Sequence, residues 1–296
     1  MTTQTPETPA NQTTHTLEAD GAVLTYDVRE APGSTEPPLM LIGSPMGAAG
    51  FGTLGGHFPD RPIITYDVRG ADRSQKSDPS TQSTPEQHAE DIHRVIEAAG
   101  LGPVDLFASS GGAVNALALV ARHPDDVRTL VAHEPPLASQ LPDADAAKAA
   151  VRAINRTYQQ GGFGAGMAHF IAAVSHKGEF PAGFADQPAP DPQMFGMPAD
   201  DDGSRNDVML QQNIISCTHF EPDYEALRQA STRIVIAVGE ESEGEMARRG
   251  GEAVAARLGT SVAMFPSGHG GFLGGEYGQT GKPDEFAAKL REVLAG

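Results

Sequence analysis

One short stretch, Phe107-Ala108-Ser109-Ser110-Gly111-Gly112-Ala113, combines a hydroxyl nucleophile with the small residues that a strained turn needs. An apolar strand-like run, Val104 to Ala108, leads into it, and Gly111 to Arg122 reads as a small-residue helix. A serine at such a junction stands above a sheet only if the residues two before and two after it are tiny, because strand and helix backbones approach closely there. Centring the turn on Ser110 puts Ala108 and Gly112 at those places. Centring it on Ser109 would put Phe107 where nothing that large fits. Ser110 is therefore the expected nucleophile. The backbone N–H of Gly111 falls at the helix start, where it can face a developing oxyanion. A turn without chemistry, or one that binds phosphate, would leave the histidine described next unexplained.

A serine hydroxyl needs a base to take its proton. Of ten histidines, His88 and His93 lie on an amphipathic helix, His123 sits in a His-Pro step that ends the nucleophile helix, and His57 is in a loop. Only His269, in Pro266-Ser267-Gly268-His269-Gly270-Gly271-Phe272, follows the last strand-like run in a glycine-lined loop able to reach over a sheet. An imidazole base also needs a carboxylate to hold its tautomer and stabilise the imidazolium. Two places offer one. In Ala132-His133-Glu134-Pro135-Pro136 a buried apolar strand ends in Glu134 with two prolines fixing the exit. In Val238-Gly239-Glu240-Glu241-Ser242-Glu243 glutamates crowd a loop that also reads as a solvated acidic surface. His133 points to the opposite face if the strand continues, and reads as structural.

These residues must be positioned by a framework, and the chain supplies one. Runs rich in β-branched residues, Ala22 to Val28, Pro38 to Gly43, Pro62 to Val68, Val104 to Ala108, Val127 to Ala132, Arg233 to Val238 and Ser261 to Phe265, are separated largely by helical stretches. The helix after Thr84 carries an N-cap Thr, Pro85 at its first position and Gly100 at its end. Alternating strands and helices predict a mostly parallel sheet flanked by helices. The rhythm breaks between about Leu137 and Ala230, where helix-like pieces (Asp143 to Gln160, Gly166 to Ser175) precede a Pro/Gly/Asp-rich run, Pro181 to Asp207. The predicted organisation is an α/β core over 15–136 and 231–296, an inserted mainly helical cap over 137–230, and a disordered tail over 1–14.

Taken together, these features resemble the α/β-hydrolase superfamily across nearly the whole ordered chain. Ile42-Gly43-Ser44-Pro45 resembles its His-Gly-x-Pro turn, with Ile42 at the usual His, and the resemblance implies that Ser44 lends a second oxyanion N–H. Tyr66-Asp67-Val68-Arg69-Gly70-Ala71-Asp72-Arg73-Ser74 resembles the superfamily's Asp-x-Arg-Gly-x-Gly-x-Ser loop, which implies a structural role. The superfamily carries its catalytic His after the last strand, pointing to His269. Its commonest acid position, past the seventh strand, is held here by Ser242, so the acid is sought at the end of the sixth strand. There Glu134 resembles the acid of zearalenone lactonases, which use a Glu within a His-Glu-x-Pro turn. Glu134 is favoured and Glu241 is the fallback.

The resemblance implies hydrolysis of an ester or lactone through an acyl-enzyme, with no metal or cofactor. Zearalenone-like macrolactones are the specific guess. Haloalkane dehalogenases and epoxide hydrolases need an Asp nucleophile, so Ser110 counts against both. A carbon–carbon bond hydrolase, a perhydrolase, or a non-hydrolytic or single-turnover ligand-binding protein on the same fold stays open. His169, His176, His219, Phe163, Phe170, Met194, Phe195 and Met197 are the cap residues from which pocket walls could come.

Composition is consistent with this reading. A formal charge of −18, from 39 acidic against 21 basic side chains, repels phosphate backbones and anionic lipid, which argues against nucleic-acid or membrane partners. The one cysteine, Cys217, forms no internal disulfide and no paired-cysteine zinc site. The first residues lack a basic region followed by an apolar core, and no apolar run is long enough to span a bilayer. A cytoplasmic protein acting on a small-molecule substrate is expected, with room for a homodimer.

Overall fold

A computed structural model describes residues 11–296. Nine strands form one sheet: β1 (Gln12–Ala19), β2 (Ala22–Arg29), β3 (Leu39–Ile42), β4 (Ile63–Asp67), β5 (Gln75–Lys76), β6 (Val104–Ser109), β7 (Val127–His133), β8 (Arg233–Gly239) and β9 (Ala263–Phe265). Their order is β1-β2-β4-β3-β6-β7-β8-β9, with β5 paired to β2. The pairs made by β2 are antiparallel, and from β4 to β9 every pair is parallel. The crossing from β4–β3 to β6–β7 brings β6 to the middle of the sheet, so the turn that follows it opens at the centre of one edge.

The parallel strands are largely apolar because both faces are covered. Met40, Ile42, Leu106, Ala108, Leu130, Ala132 and Ile236 pack on one face. The intervening Leu39, Leu41, Phe107, Val131 and Ala237 pack on the other. This is the two-residue alternation of a pleated strand. Among the described residues, eight α-helical runs accompany the sheet: α1 (Gly52–Gly56), α2 (Pro85–Ala99), α3 (Gly111–Arg122), α4 (Ala144–Val174), α5 (Ile214–Thr218), α6 (Tyr224–Gln229), α7 (Met246–Leu258) and α8 (Pro283–Ala295). Helix α2 has the expected start, a reciprocal capping box between Thr84 and Gln87, and Gly100 in the left-handed region closes it.

One expectation needs correction. The amino-terminal tail was expected to run to residue 14, yet Gln12 to Thr14 belong to β1; residues 1–10 lie outside the described residues. Strand β1 is polar because most of its residues stay exposed at the sheet edge, so it has no apolar alternation to read. Its signature is the Asp20-Gly21 turn into β2, with Gly21 at φ 68° and Ala19 paired to Ala22. The two helical pieces expected between Asp143 and Ser175 are both present: the non-helical backbone of Gly162 (φ 78°, ψ −169°) divides α4 into two helices that abut there.

The segment between β7 and β8 holds α4 to α6 and a π-helical turn, Val208–Asn213. It gathers its own apolar cluster, including Val151, Ile154, Tyr158, Leu210 and Ile214, and shares Met246 with α7. Three contacts fasten it over the sheet edge: Asn213 Oδ1 lies 2.7 Å from His88 Nε2, Ser216 Oγ donates to the Ser83 carbonyl at 2.5 Å, and Arg249 pairs with Asp143.

Candidate active site

Ser110 occupies the turn between β6 and α3 with φ 58° and ψ −127°, a strained conformation for a residue with a side chain. Its N–H donates to the His133 carbonyl at 2.9 Å, which ties the turn to β7. The close approach that the small residues anticipate is real. A Cβ on Gly112 would lie 2.8 Å from Gly43 Cα and 3.0 Å from the Ile42 carbonyl oxygen, and one on Gly111 would lie 2.7 Å from the Ser44 carbonyl oxygen. Ala108 is fully buried and pairs with Ile42. The Gly43-Ser44 backbone therefore runs directly against the start of α3.

Glu134 leaves β7 at φ 49°, and its carboxylate is buried. Oε1 accepts the Gly239 N–H at 2.8 Å and Oε2 accepts Nδ1–H of His269 at 2.6 Å. Burial pushes the Glu134 carboxyl up, but the His269 hydrogen bond, the nearby His133 and the Gly239 N–H outweigh it and leave it at about 2. The side chain is thus an anion fixed from two directions. With Nδ1 donating to Glu134, the Nε2 of His269 is the ring atom free to accept a proton. Glu241, the fallback acid, is committed elsewhere: its oxygens accept from Lys282 Nζ at 2.6 Å and Ser267 Oγ at 3.3 Å.

His133 is fully buried among Phe107, Phe265, Phe272 and Phe286, and its ring also lies against that of His269, 6.0 Å between centroids. Burial pulls its imidazole down to about 4, against the opposing pull of Glu134, so it is a neutral backing for His269. The sequence marked it as structural; its place directly behind the imidazole came from the loop geometry of 266–272.

Ser110, His269, Ser44, Pro45 and Gln279 are shared by two cavities. The inner one, about 410 Å³, extends under the inserted segment and is walled by apolar side chains including Val151, Ile154, Phe170, Ile214 and Met246. Glu245 also lines it, and burial raises its carboxyl, with the charge of Glu134 adding to the effect. The outer cavity, about 460 Å³, adds Met46, Asp72, Met167, Phe272 and Tyr277. Of the pocket residues proposed from sequence, Phe170 lines the inner cavity, whereas Met194 is exposed and His169, His176 and His219 hydrogen-bond within the inserted segment. Asp72, Tyr277 and Gln279 were not singled out as pocket residues. Among the described residues, one group with metal-ligand chemistry, His93, His123 and Asp126, comes together at the far end of α3 from Ser110. There His93 Nδ1 lies 2.7 Å from Asp126 and His123 Nε2 lies 3.1 Å from Glu90.

The fold has counterparts in known proteins. Residues 49–194 match the model of the alpha/beta hydrolase fold family. Over 127 residues the chain is 35% identical to YraK, a hydrolase of Bacillus subtilis (strain 168) described as uncharacterized; the match covers 43% of this chain and 46% of that protein, so it spans about half of the relative. A thermophilic esterase from Thermogutta terrifontis superposes with a TM-score of 0.67 at 18% identity, over 97% of this chain and 98% of that one. An enol-lactonase from Burkholderia xenovorans LB400 gives 0.63 at 15% identity, over 95% and 100%. The chain has the α/β-hydrolase fold. No helix among the described residues is long and apolar enough to cross a membrane.

Proposed function

We propose that the protein is a serine hydrolase cleaving a carboxylic ester or lactone through an acyl-enzyme. The observation that carries this reading is the buried, doubly anchored Glu134 holding His269 by Nδ1 at a cavity that Ser110 also lines. His269 Nε2 takes the Ser110 proton as Oγ attacks the carbonyl carbon. The N–H groups of Gly111 and Ser44 receive the oxyanion, and the imidazolium returns the proton to the leaving alkoxide. Water, deprotonated by the same Nε2, attacks the acyl carbon, releases the acid and regenerates Ser110. Every group in these steps belongs to this chain, to the substrate or to water. In a lactone the leaving alkoxide stays tethered, and water must reach the ester before it recloses.

The esterase and enol-lactonase folds support the class. The placement of Glu134 in a His-Glu-x-Pro turn supports zearalenone-like macrolactones as the first specific substrate. The test is hydrolysis of p-nitrophenyl acetate and butyrate and of zearalenone by wild type and Ser110→Ala, with labelling by a fluorophosphonate probe. Loss of turnover and of labelling in a folded Ser110→Ala protein supports the reading. A folded variant that keeps turnover removes Ser110 as nucleophile. Labelling without turnover would instead indicate a single-turnover binding protein.

A further inference from the structure

The outer cavity differs in chemistry from the inner one. The glycine-rich turn Gly47 to Gly50 follows its wall residue Met46, and the glycines leave room for two side chains that arrive from distant parts of the chain. A Cβ on Gly47 would collide with the Asp72 carboxylate, and one on Gly50 would lie 3.2 Å from the Tyr277 ring. A carboxylate and a phenol ring therefore lie over positions three residues apart on one turn. Asp72 has φ 47° and Tyr277 φ 53°, so both backbones take a left-handed conformation that an ordinary side chain avoids. Tyr277 is 60% exposed, an unusual state for an aromatic side chain at a cavity wall. Met46, Met167, Phe272 and Leu273 complete an apolar surround.

Asp72 has no cation of its own. Its neighbour Arg73 commits its guanidinium to Asp27, at 2.7 Å, and to Asp67, at 2.6 Å. Asp67 is further satisfied by the Ala48 N–H. Glu276, beside Tyr277, accepts the N–H groups of Thr53 and Gly274. Among the described residues no basic side chain pairs with Asp72. Partial burial and the neighbouring Asp67 carboxylate raise its acid above the usual range, outweighing the charge of Arg73 and the Gly47 backbone hydrogen bond. A carboxylate beside an exposed aromatic face, with thioethers around it, is the chemistry that receives an organic ammonium ion: Coulomb attraction from one side and cation–π attraction from the other. The strongly negative chain adds long-range steering of the same sign.

We propose that the outer cavity is a subsite for a cationic ammonium group on the alcohol half of the substrate, with Asp72 and Tyr277 as its specificity residues. The acyl half then lies in the apolar inner cavity. This subsite rests on the ester-cleaving reading above, and its test separates the two.

The experiment compares butyrate esters of ω-(trimethylammonio) alcohols with two, three or four carbons between oxygen and nitrogen against their neutral tert-butyl isosteres. For at least one length, wild type is expected to favour the cation by about tenfold in kcat/KM, in line with combined cation–π and partly exposed charge attraction. Asp72→Asn, which tolerates the left-handed backbone, brings that ratio to near one, and Tyr277→Leu lowers it. A wild-type ratio at or below one at every length overturns the subsite, as does a ratio that survives Asp72→Asn. The ligand pair is also titrated by ligand-observed NMR against Ser110→Ala protein and the Ser110→Ala/Asp72→Asn double variant. Should no ester be hydrolysed, the catalytic reading fails, and the titration still decides the subsite. Tighter binding of the cation that depends on Asp72 supports it, and equal binding of both isosteres sinks it.

Discussion

Glu134 Oε2 accepts Nδ1–H of His269 at 2.6 Å while its other oxygen holds the Gly239 N–H, so one buried carboxylate joins the ends of β7 and β8 to the loop after β9. That double commitment makes the carboxylate a local clamp and, on the proposed function, the group that orients the base. Glu134→Gln keeps the shape but places an amide N–H donor opposite Nδ1–H. It should lower kcat by roughly 10³- to 10⁴-fold, as for other triads in which the carboxylate becomes an amide. Glu241→Gln removes the exposed Lys282 ion pair and weakens at most one Ser267 hydrogen bond, and should change kcat less than about twofold. Stopped-flow or steady-state p-nitrophenyl butyrate hydrolysis distinguishes the two, and the reverse ranking would move the acid to Glu241.

His133 gives the protein a pH-dependent stability. Its imidazole is held at about 4 by burial, below its ordinary 6.5. As pH falls through 6.5 the unfolded chain takes up a proton that the native chain refuses until about 4. The native state therefore loses stability across that window, by up to about 1.4 kcal/mol per pH unit, and the contribution is complete above 6.5. Urea midpoints between pH 7 and 4.5 should fall less steeply for His133→Gln than for wild type. Equal slopes would mean that the native state accommodates a charged His133.

The serine turn admits no side chain at Gly112, where the colliding atoms are backbone of Gly43 and Ile42 rather than movable side chains. Gly112→Ala should cost about 1–3 kcal/mol through overpacking. Because the displaced backbone leads directly into Ser44, activity should fall further than the folded fraction does. Gly56→Ala is the control: its Cβ meets nothing within 4 Å and its backbone is helical. That change should leave thermal stability equal or slightly higher. If both variants behave alike, the tight approach at Gly112 does not exist in solution.

The readable parts of this protein are those whose physics is local. Ser110 was the expected nucleophile because a strained turn requires Ala108, Gly111 and Gly112 around it, and His269 the expected base because a glycine-lined loop after a strand has few uses for an imidazole. Glu134 was legible as a carboxylate at the end of an apolar strand. The parallel sheet followed from uninterrupted apolar runs such as Leu39–Ile42, buried on both faces. What escaped depends on distant segments meeting. Asp72 and Tyr277 converge on the Gly47–Gly50 turn from separate loops, and neither local sequence marks a cavity wall. His133 lies behind His269 because the 266–272 loop folds back over β7, and β1 is too polar to show a strand period.

The inner cavity makes the final prediction, which concerns the acyl half of the substrate. Val151 and Ile154 are adjacent wall positions one helical turn apart on α4, both buried, and facing the same space as Ser110. A larger side chain at Val151 projects into about 410 Å³ of cavity rather than into close-packed interior, so it costs less than overpacking a core would. Val151→Phe should therefore fold, hydrolyse p-nitrophenyl acetate close to the wild-type rate, and discriminate against octanoate by tenfold or more relative to acetate. Burying each methylene contributes about 0.8 kcal/mol, so losing the space for two of them is enough for that ratio. The expected signature is a rise in KM for long acyl chains with kcat on acetate retained. If Val151→Phe instead alters the preference among alcohol chains of butyrate esters and leaves acyl length untouched, the two halves of the substrate are exchanged between the cavities. The inner space would then hold the leaving group, and the ammonium assigned to Asp72 would belong on the acid.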